Sequence, residues 1–360
     1  MRKTTRSALA AAAFACIGTA AFGAATYRVV ELPLAGDAAS THQSHASAIN
    51  DKGVVTVSSL HYGKDGHRWD RAQVCPPKRA SCKVIESLSD TRPRSDGASD
   101  VNTAGQVVGY SMVDGWQKPF LRDVDGTVHS LGSYAPNLPA WATGINDASV
   151  VVGYGHIDND RQRGFVWKDG AMTWLPTLGG DAYSQATGVN AKGQVVGLAA
   201  VAGSWPAAHA FVYDITTGVM TDMGTNGGEQ SVGHAINSSG DIAGASATAL
   251  SQGHMHAMRT VGGVMQNLGT LPGDEYAAAY SINDAGDVVG GSSPPMALSR
   301  GFIYTSTKGM RDLNDLLAQS DRAAYTVGAG QDINNAGDIA AAARRTSDGK
   351  LVAVKLVRLR

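Results

Sequence analysis

The chain has 360 residues, with 30 Lys and Arg against 31 Asp and Glu, for a net charge of −1 at pH 7. No basic stripe and no long charge run breaks that balance, which excludes nucleic acid and anionic membrane surfaces as expected partners. Gly, at 44 residues, is too frequent for long helices, and no window sustains a 3.6-residue apolar period, so helical arrays are excluded too.

Residues 1–25 read as a secretory signal peptide. Arg2, Lys3 and Arg6 make a basic start, Ala8 to Ala15 with Ile17 make an apolar run, and Ala21, Gly23, Ala24 and Ala25 offer small residues for cleavage. The apolar run is too short to stay in a bilayer as an anchor, and no other apolar segment follows. The mature chain is expected to be exported, periplasmic or extracellular, without membrane insertion.

From there one phrase recurs, Ile/Val-Asn-x-x-Gly-x-Val/Ile-Val/Ala-Gly in its fullest form. Its asparagines are Asn50, Asn102, Asn146, Asn190, Asn237, Asn283 and Asn334, at spacings of 52, 44, 44, 47, 46 and 51 residues. A period in the mid-forties marks an array of small units, none able to bury its apolar face alone. Asn and Asp tolerate left-handed backbone and Gly adopts it freely, so each phrase predicts a strand, a tight turn and a strand. A second phrase in each unit, such as Ala210-Phe211-Val212-Tyr213 running to Thr221-Asp222-Met223, predicts two more strands. Each unit is thus four short strands, A to D, the size of one β-propeller blade.

The ends complement each other. After residue 357 the chain stops before a full fourth strand, and residues 27–37 match the ends of other units, such as residues 173–181. A spare N-terminal strand would remove an open sheet edge. The expected fold is all-β: a seven-bladed β-propeller of four-stranded blades, closed by the N-terminal strand, in one domain over residues 26–360. Cys75 and Cys82 flank the C–D turn of the first unit, where facing cysteines of an exported chain are expected to form a disulfide.

The two alternating phrases, with His209-Ala210-Phe211 in the fourth unit, resemble the bacterial HAF repeat of extracellular proteins. The likeness covers nearly all of the mature chain. The second phrase is looser in Lys118-Pro119-Phe120, Arg163-Gly164-Phe165, His256-Ala257-Met258 and Arg300-Gly301-Phe302, and the first unit, Arg71-Ala72-Gln73, lacks the aromatic. The resemblance implies export and a repeated β scaffold, and it supplies no catalytic residue.

In a propeller the A–B and C–D turns share one face, and the B–C and D–A connections share the other. The A–B turns here are uniform, which reads as structure; the seven asparagines are expected to hold them. The other connections vary and carry aromatic and acidic residues, so they are the expected binding face. The candidates are Trp69, Trp116, Trp141, His156, Asp181, Tyr183, Trp205, Glu229, Asp274 and Tyr276. Aromatics beside carboxylates suit glycans, peptides or cationic groups. A cation recurs two residues before the Phe position, at Arg71, Lys118, Arg163, His209, His256, Arg300 and Lys350, and is expected to bond acceptors of its own or the next unit.

No metal or cofactor is expected. His254 with His256, and His42 with His45, each offer two nitrogens with no carboxylate or thiol nearby in sequence. The nucleophile elbow, the zinc-protease helix motif, the phosphate loop and the dinucleotide fingerprint are all missing. The expected function is therefore that of a non-catalytic exported propeller binding an extracellular or periplasmic protein or glycan through the B–C/D–A face. Two alternatives stand beside it: a polysaccharide- or peptide-directed hydrolase or lyase with carboxylates at the central depression, and an architectural extracellular component.

Overall fold

A computed structural model describes residues 26–35, 41–62, 66, 68–78, 81–89, 95–202, 207–250, 253–296 and 298–359, without the side chains of residues 180–182. The expected signal peptide and Trp205 lie outside the described residues.

The chain is all-β. After β1 (Tyr27–Glu31), the first unit holds β2 (Thr41–Ile49), β3 (Val55–Tyr62), β4 (Arg68–Cys75) and β5 (Lys83–Val84). The second holds β6 (Gly97–Val101), β7 (Val107–Val113), β8 (Trp116–Arg122) and β9 (Val128–Ser130). The third holds β10 (Ala140–Ile145), β11 (Val151–His156), β12 (Gln162–Lys168) and β13 (Ala171–Trp174). The fourth holds β14 (Gly179–Val189), β15 (Gln194–Val201), β16 (Ala208–Asp214) and β17 (Met220–Asp222). The fifth holds β18 (Gly227–Ile236), β19 (Ile242–Thr248), β20 (Met255–Val261) and β21 (Val264–Gly269). The sixth holds β22 (Tyr276–Ile282), β23 (Val288–Ser293), β24 (Arg300–Thr305) and β25 (Gly309–Asp312). The last holds β26 (Tyr325–Ile333), β27 (Ile339–Arg345) and β28 (Leu351–Arg358).

Among the described residues these strands form five four-stranded sheets and one of eight strands. The eight-stranded sheet is two antiparallel runs, the third and fourth units, joined by a single parallel pair, Gln162 with Tyr183. The last unit takes its fourth strand from the other end of the chain: β1 pairs with β28 from Tyr27–Arg358 to Glu31–Val354. Tyr27 is buried there among Leu317, Val354 and Leu356.

The repeated phrase explains the hairpins. In every unit the asparagine Oδ1 accepts the backbone N–H four residues on, at 2.9–3.0 Å, from Val54, Gln106, Val150, Gln194, Asp241, Asp287 and Asp338. The residue three after the asparagine turns left-handed, as Gly240 does at φ 100°; in the third unit Ser149 takes this conformation at φ 58°.

The phrase's final glycine explains the aromatic of the second phrase. A Cβ on Gly153 would stand 2.0 Å from the Trp141 carbonyl oxygen, and one on Gly197 1.9 Å from that of Gln185. The bare backbone makes room for the residue paired with it, and Phe165, Phe211 and Phe302 lie fully buried opposite Gly153, Gly197 and Gly290. Each such ring stabilises the fold by about 2 kcal/mol relative to an exposed one. The first unit changes both partners at once: Val57 stands opposite Gln73. Gln73 is fully buried, donates to Ser59 Oγ at 3.1 Å and accepts Ala35 N–H at 2.8 Å. The missing aromatic is thereby replaced by a bond to the segment after β1.

The first strands of the units pack side by side: β2 on β6, β6 on β10, β10 on β14, β14 on β18, β18 on β22, β22 on β26, and β26 on β2 again. At one end of them each asparagine Nδ2 donates to the backbone oxygen of the next repeat asparagine. Asn50 bonds Asn102, Asn102 Asn146, Asn146 Asn190, Asn190 Asn237, Asn237 Asn283, and Asn283 Asn334. Asn334 then bonds Asn50 at 3.0 Å, returning the circuit to its start. Cys75 and Cys82 form a disulfide in the first unit.

Candidate functional site

The first strands surround an axis, so the side chains they point inward meet there. Residues alternate along a strand, but each of these strands carries a bulge just before its asparagine, between Ala142 and Gly144 in β10 and between Gly233 and Ala235 in β18. In units four and five the residues three, five and seven before the asparagine share one inner wall. These are Thr187, Gln185 and Tyr183 on β14, and His234, Val232 and Gln230 on β18.

At the asparagine end the axis opens into a shallow depression of about 250 Å3, lined by the asparagines and their neighbours. Its rim is cross-linked: Thr103 N–H bonds Asp147, Ser238 N–H bonds Asp284, and Asn335 bonds both Asp51 and Asp284. This end is satisfied by its own hydrogen bonds.

Inside, uniformity stops. Two residues before the asparagine the seven units carry Ala48, Asp100, Gly144, Gly188, Ala235, Ser281 and Asp332. Asp332 accepts Ser281 Oγ–H, and the N–H groups of Ile49 at 2.7 Å and Ile333 at 2.9 Å. Asp100 accepts the N–H groups of Ile145 at 2.9 Å and Val101 at 2.7 Å. Ile49 and Ile145 belong to the following units, so each carboxyl staples its neighbour. Burial pushes the Asp100 carboxyl up to about 7, and the charge of Asp332 adds to the rise. Burial also raises Asp332, against its hydrogen bonds. Each carboxyl keeps some accessible surface yet is walled in by the inner strands, so desolvation dominates.

Further along, ring side chains replace carboxyls. Trp141 stacks on Tyr154 with centroids 5.1 Å apart and lies 6.2 Å from His156. His156 Nε2 accepts Gln162 Nε2–H at 2.9 Å, and Gln162 Oε1 accepts Gln185 Nε2–H at 2.8 Å, linking the third unit to the fourth. His234 lies 5.6 Å from Tyr280, ring to ring, and its Nδ1 is 2.8 Å from the Ala279 oxygen. A carbonyl only accepts, so Nδ1 carries the proton. Burial lowers the His234 pKa, leaving the ring neutral with an Nε2 lone pair. His45 is also lowered by desolvation, although its edge is exposed at the mouth. Burial raises the phenols of Tyr110, Tyr154, Tyr183 and Tyr280, so they stay protonated at neutral pH.

Of the residues expected from sequence, Trp141, His156 and Tyr183 reach this region. Trp69, Trp116, Glu229, Asp274 and Tyr276 do not join them. Trp69 packs on His61 and under Arg71, Trp116 is exposed on a hairpin, and Glu229 is exposed. Tyr276 packs on His254, whose Nδ1 lies 3.4 Å from Glu275. Asp274 is buried against Arg300 at 2.9 Å. Asp181 has no described side chain, and Trp205 lies outside the described residues. Several of the recurring cations serve local acceptors: Lys118 bonds Ser133, Pro136 and Leu138, His209 bonds Asp222, and Lys350 bonds the Thr41 oxygen, whereas His256 Nδ1 is buried without a partner among the described residues. Sequence reasoning weighed His45 only as a metal donor and missed Asp100, Tyr110, Tyr154, Gln185, His234, Tyr280 and Asp332. Their signal was available in the offset of each from its repeat asparagine.

No protein-family model and no curated protein matches this chain. Solved structures do. Oligogalacturonate lyase from Vibrio parahaemolyticus aligns at a TM-score of 0.57 and 9% identity, over 93% of this chain and 98% of that one. Virginiamycin B lyase from Staphylococcus aureus, solved with quinupristin, aligns at 0.50 and 12%, over 92% and 100%. A puromycin hydrolase aligns at 0.57 and 10%, over 90% of this chain, which spans only 56% of that enzyme. At these identities the likeness shows the fold alone, a β-propeller. The expectation of a non-catalytic binding scaffold is corrected to that fold alone, since the neighbours that share it are two lyases and a hydrolase. No helix among the described residues is long and apolar enough to cross a membrane.

Proposed function

We propose that the chain is an exported seven-bladed propeller, closed by β1, and that its axial funnel is an acid–base active site. Seven blades and closure are supported by the pairing of β1 with β28 and by the asparagine circuit. Export is supported by the basic and apolar N-terminus and by the likeness to the HAF repeat.

One observation carries the enzymatic reading. Repeats keep what the scaffold needs, and here the inward positions break the repeat with groups that transfer protons. Asp100 and Asp332 occupy places filled by Ala48, Gly144, Gly188 and Ala235 elsewhere, so the scaffold does not require a carboxyl there. A buried acid held near pH 7 opposes folding when ionised, and such groups concentrate where proton transfer is used. Asp100 is suited to donate a proton and His234 Nε2 to accept one. Tyr280 lies beside the His234 ring, and Trp141 stacked on Tyr154 adds an aromatic pair on the third unit.

The test is turnover by the mature chain on neutral polysaccharides, uronate polysaccharides and cyclic depsipeptides. Reducing ends, unsaturated products and ring opening are the readouts. Turnover of at least one class, reduced about 100-fold or more in Asp100→Asn or Asp332→Asn, is expected. No turnover on any class, or turnover untouched by both substitutions, contradicts the reading.

A further inference from the structure

A cavity of about 370 Å3 opens between the fourth and fifth units, within the range of small-molecule sites, roughly 300–1,000 Å3. Among the described residues none of its lining side chains carries a charge: the polar ones are amides, hydroxyls and the His234 imidazole, which is neutral. An ionised ligand would leave water for a wall with no counter-charge, which disfavours it. A fully apolar ligand would leave the His234 lone pair without a partner.

We propose that this cavity is the substrate subsite for a neutral, polyhydroxylated unit, an uncharged sugar ring; this rests on the axial-enzyme reading and names its substrate class. A sugar ring offers both kinds of surface the cavity presents. Its C–H face packs on Leu198, Val232 and Met255. Its hydroxyls both donate and accept, which matches amide and phenol groups that do the same. One hydroxyl donates to His234 Nε2, whose availability is fixed by the Nδ1–H bond to Ala279. Gln185 spends one N–H on Gln162 and keeps its oxygen for the ligand. Tyr280 beside the imidazole sets the ring plane.

The test is calorimetric titration of the mature chain with cellotetraose, xylotetraose, mannotetraose and tetragalacturonate. At least one neutral tetrasaccharide should bind at least tenfold more tightly than tetragalacturonate. His234→Phe, which keeps a ring and removes the acceptor, should weaken it at least tenfold. Met255→Trp, which fills the cavity, should abolish binding, with melting temperature recorded to confirm folding. Equal or tighter binding of the uronate overturns the proposal, as does unchanged binding in His234→Phe or no binding of any neutral sugar. The titration is repeated in an Asp100→Asn, Asp332→Asn double variant, expected to be inactive. Binding there with no turnover in the parent chain would sink the enzymatic reading and leave the subsite standing. Turnover in the parent without neutral-sugar binding would do the reverse.

Discussion

The two ends of the axis follow opposite rules. At the asparagine end seven units present the same residue in the same hydrogen bonds, and every Nδ2 is used by the next unit. A few residues deeper the same strands carry His45, Trp141, Gln185 and His234, with no repeat among them. Both regions sit on one scaffold, so the difference comes from what each must do. A sevenfold circuit needs identity. On the proposed function, the deeper positions hold an asymmetric substrate and move a proton one way, which needs the symmetry broken.

The contrast breaks most visibly with pH. Asp100 and Asp332 have folded pKa values raised above the unfolded one, so the folded chain holds more protons and stability falls as pH rises from about 4 toward 7. For Asp100 the loss is on the order of 4 kcal/mol. Denaturation midpoints across that window should therefore drop in the wild type and drop far less in Asp100→Asn, Asp332→Asn. A flat wild-type profile would remove the electrostatic half of the contrast.

At the uniform end, Asn237→Ala removes the acceptor of Gly240 and Asp241 N–H and the donor to Asn283. A loss of about 3 kcal/mol in urea unfolding is expected, while His45→Ala, exposed at the mouth, should change stability by less than about 0.5 kcal/mol. Equal losses would erase the distinction between the ends. Cys82→Ser opens a short loop and should lower stability by about 2 kcal/mol, read from the same unfolding curves. The smallest effect sharpens the comparison. Ser149 holds the left-handed position that Gly fills in the other six turns, and its Oγ donates to Gln106. Ser149→Gly relieves strain and loses that bond, so the net change should stay within about 1 kcal/mol.

Much of the scaffold was legible in the chain because repetition is a sequence property. The asparagine spacing, the turn glycines and the matching N-terminal strand each have a local cause. The candidate site was less legible because its members are distant: Asp100 and Asp332 lie 232 residues apart in number, yet the charge of Asp332 is among the causes that raise Asp100. The bulge before each asparagine also hid them, since simple alternation puts the wrong residues inside. Aromatic loops drew attention outward, and Trp69, Trp116 and Tyr276 turned out to pack locally or stand alone.

The most direct measurement is a carboxyl carbon NMR titration of Asp100, with and without Asp332→Asn. A midpoint near 7 in the wild type, falling when Asp332 loses its charge, is the predicted result. A midpoint in the ordinary range near 4 in both would contradict the account. The axis would then hold no tuned acid, and the two ends would differ only in packing.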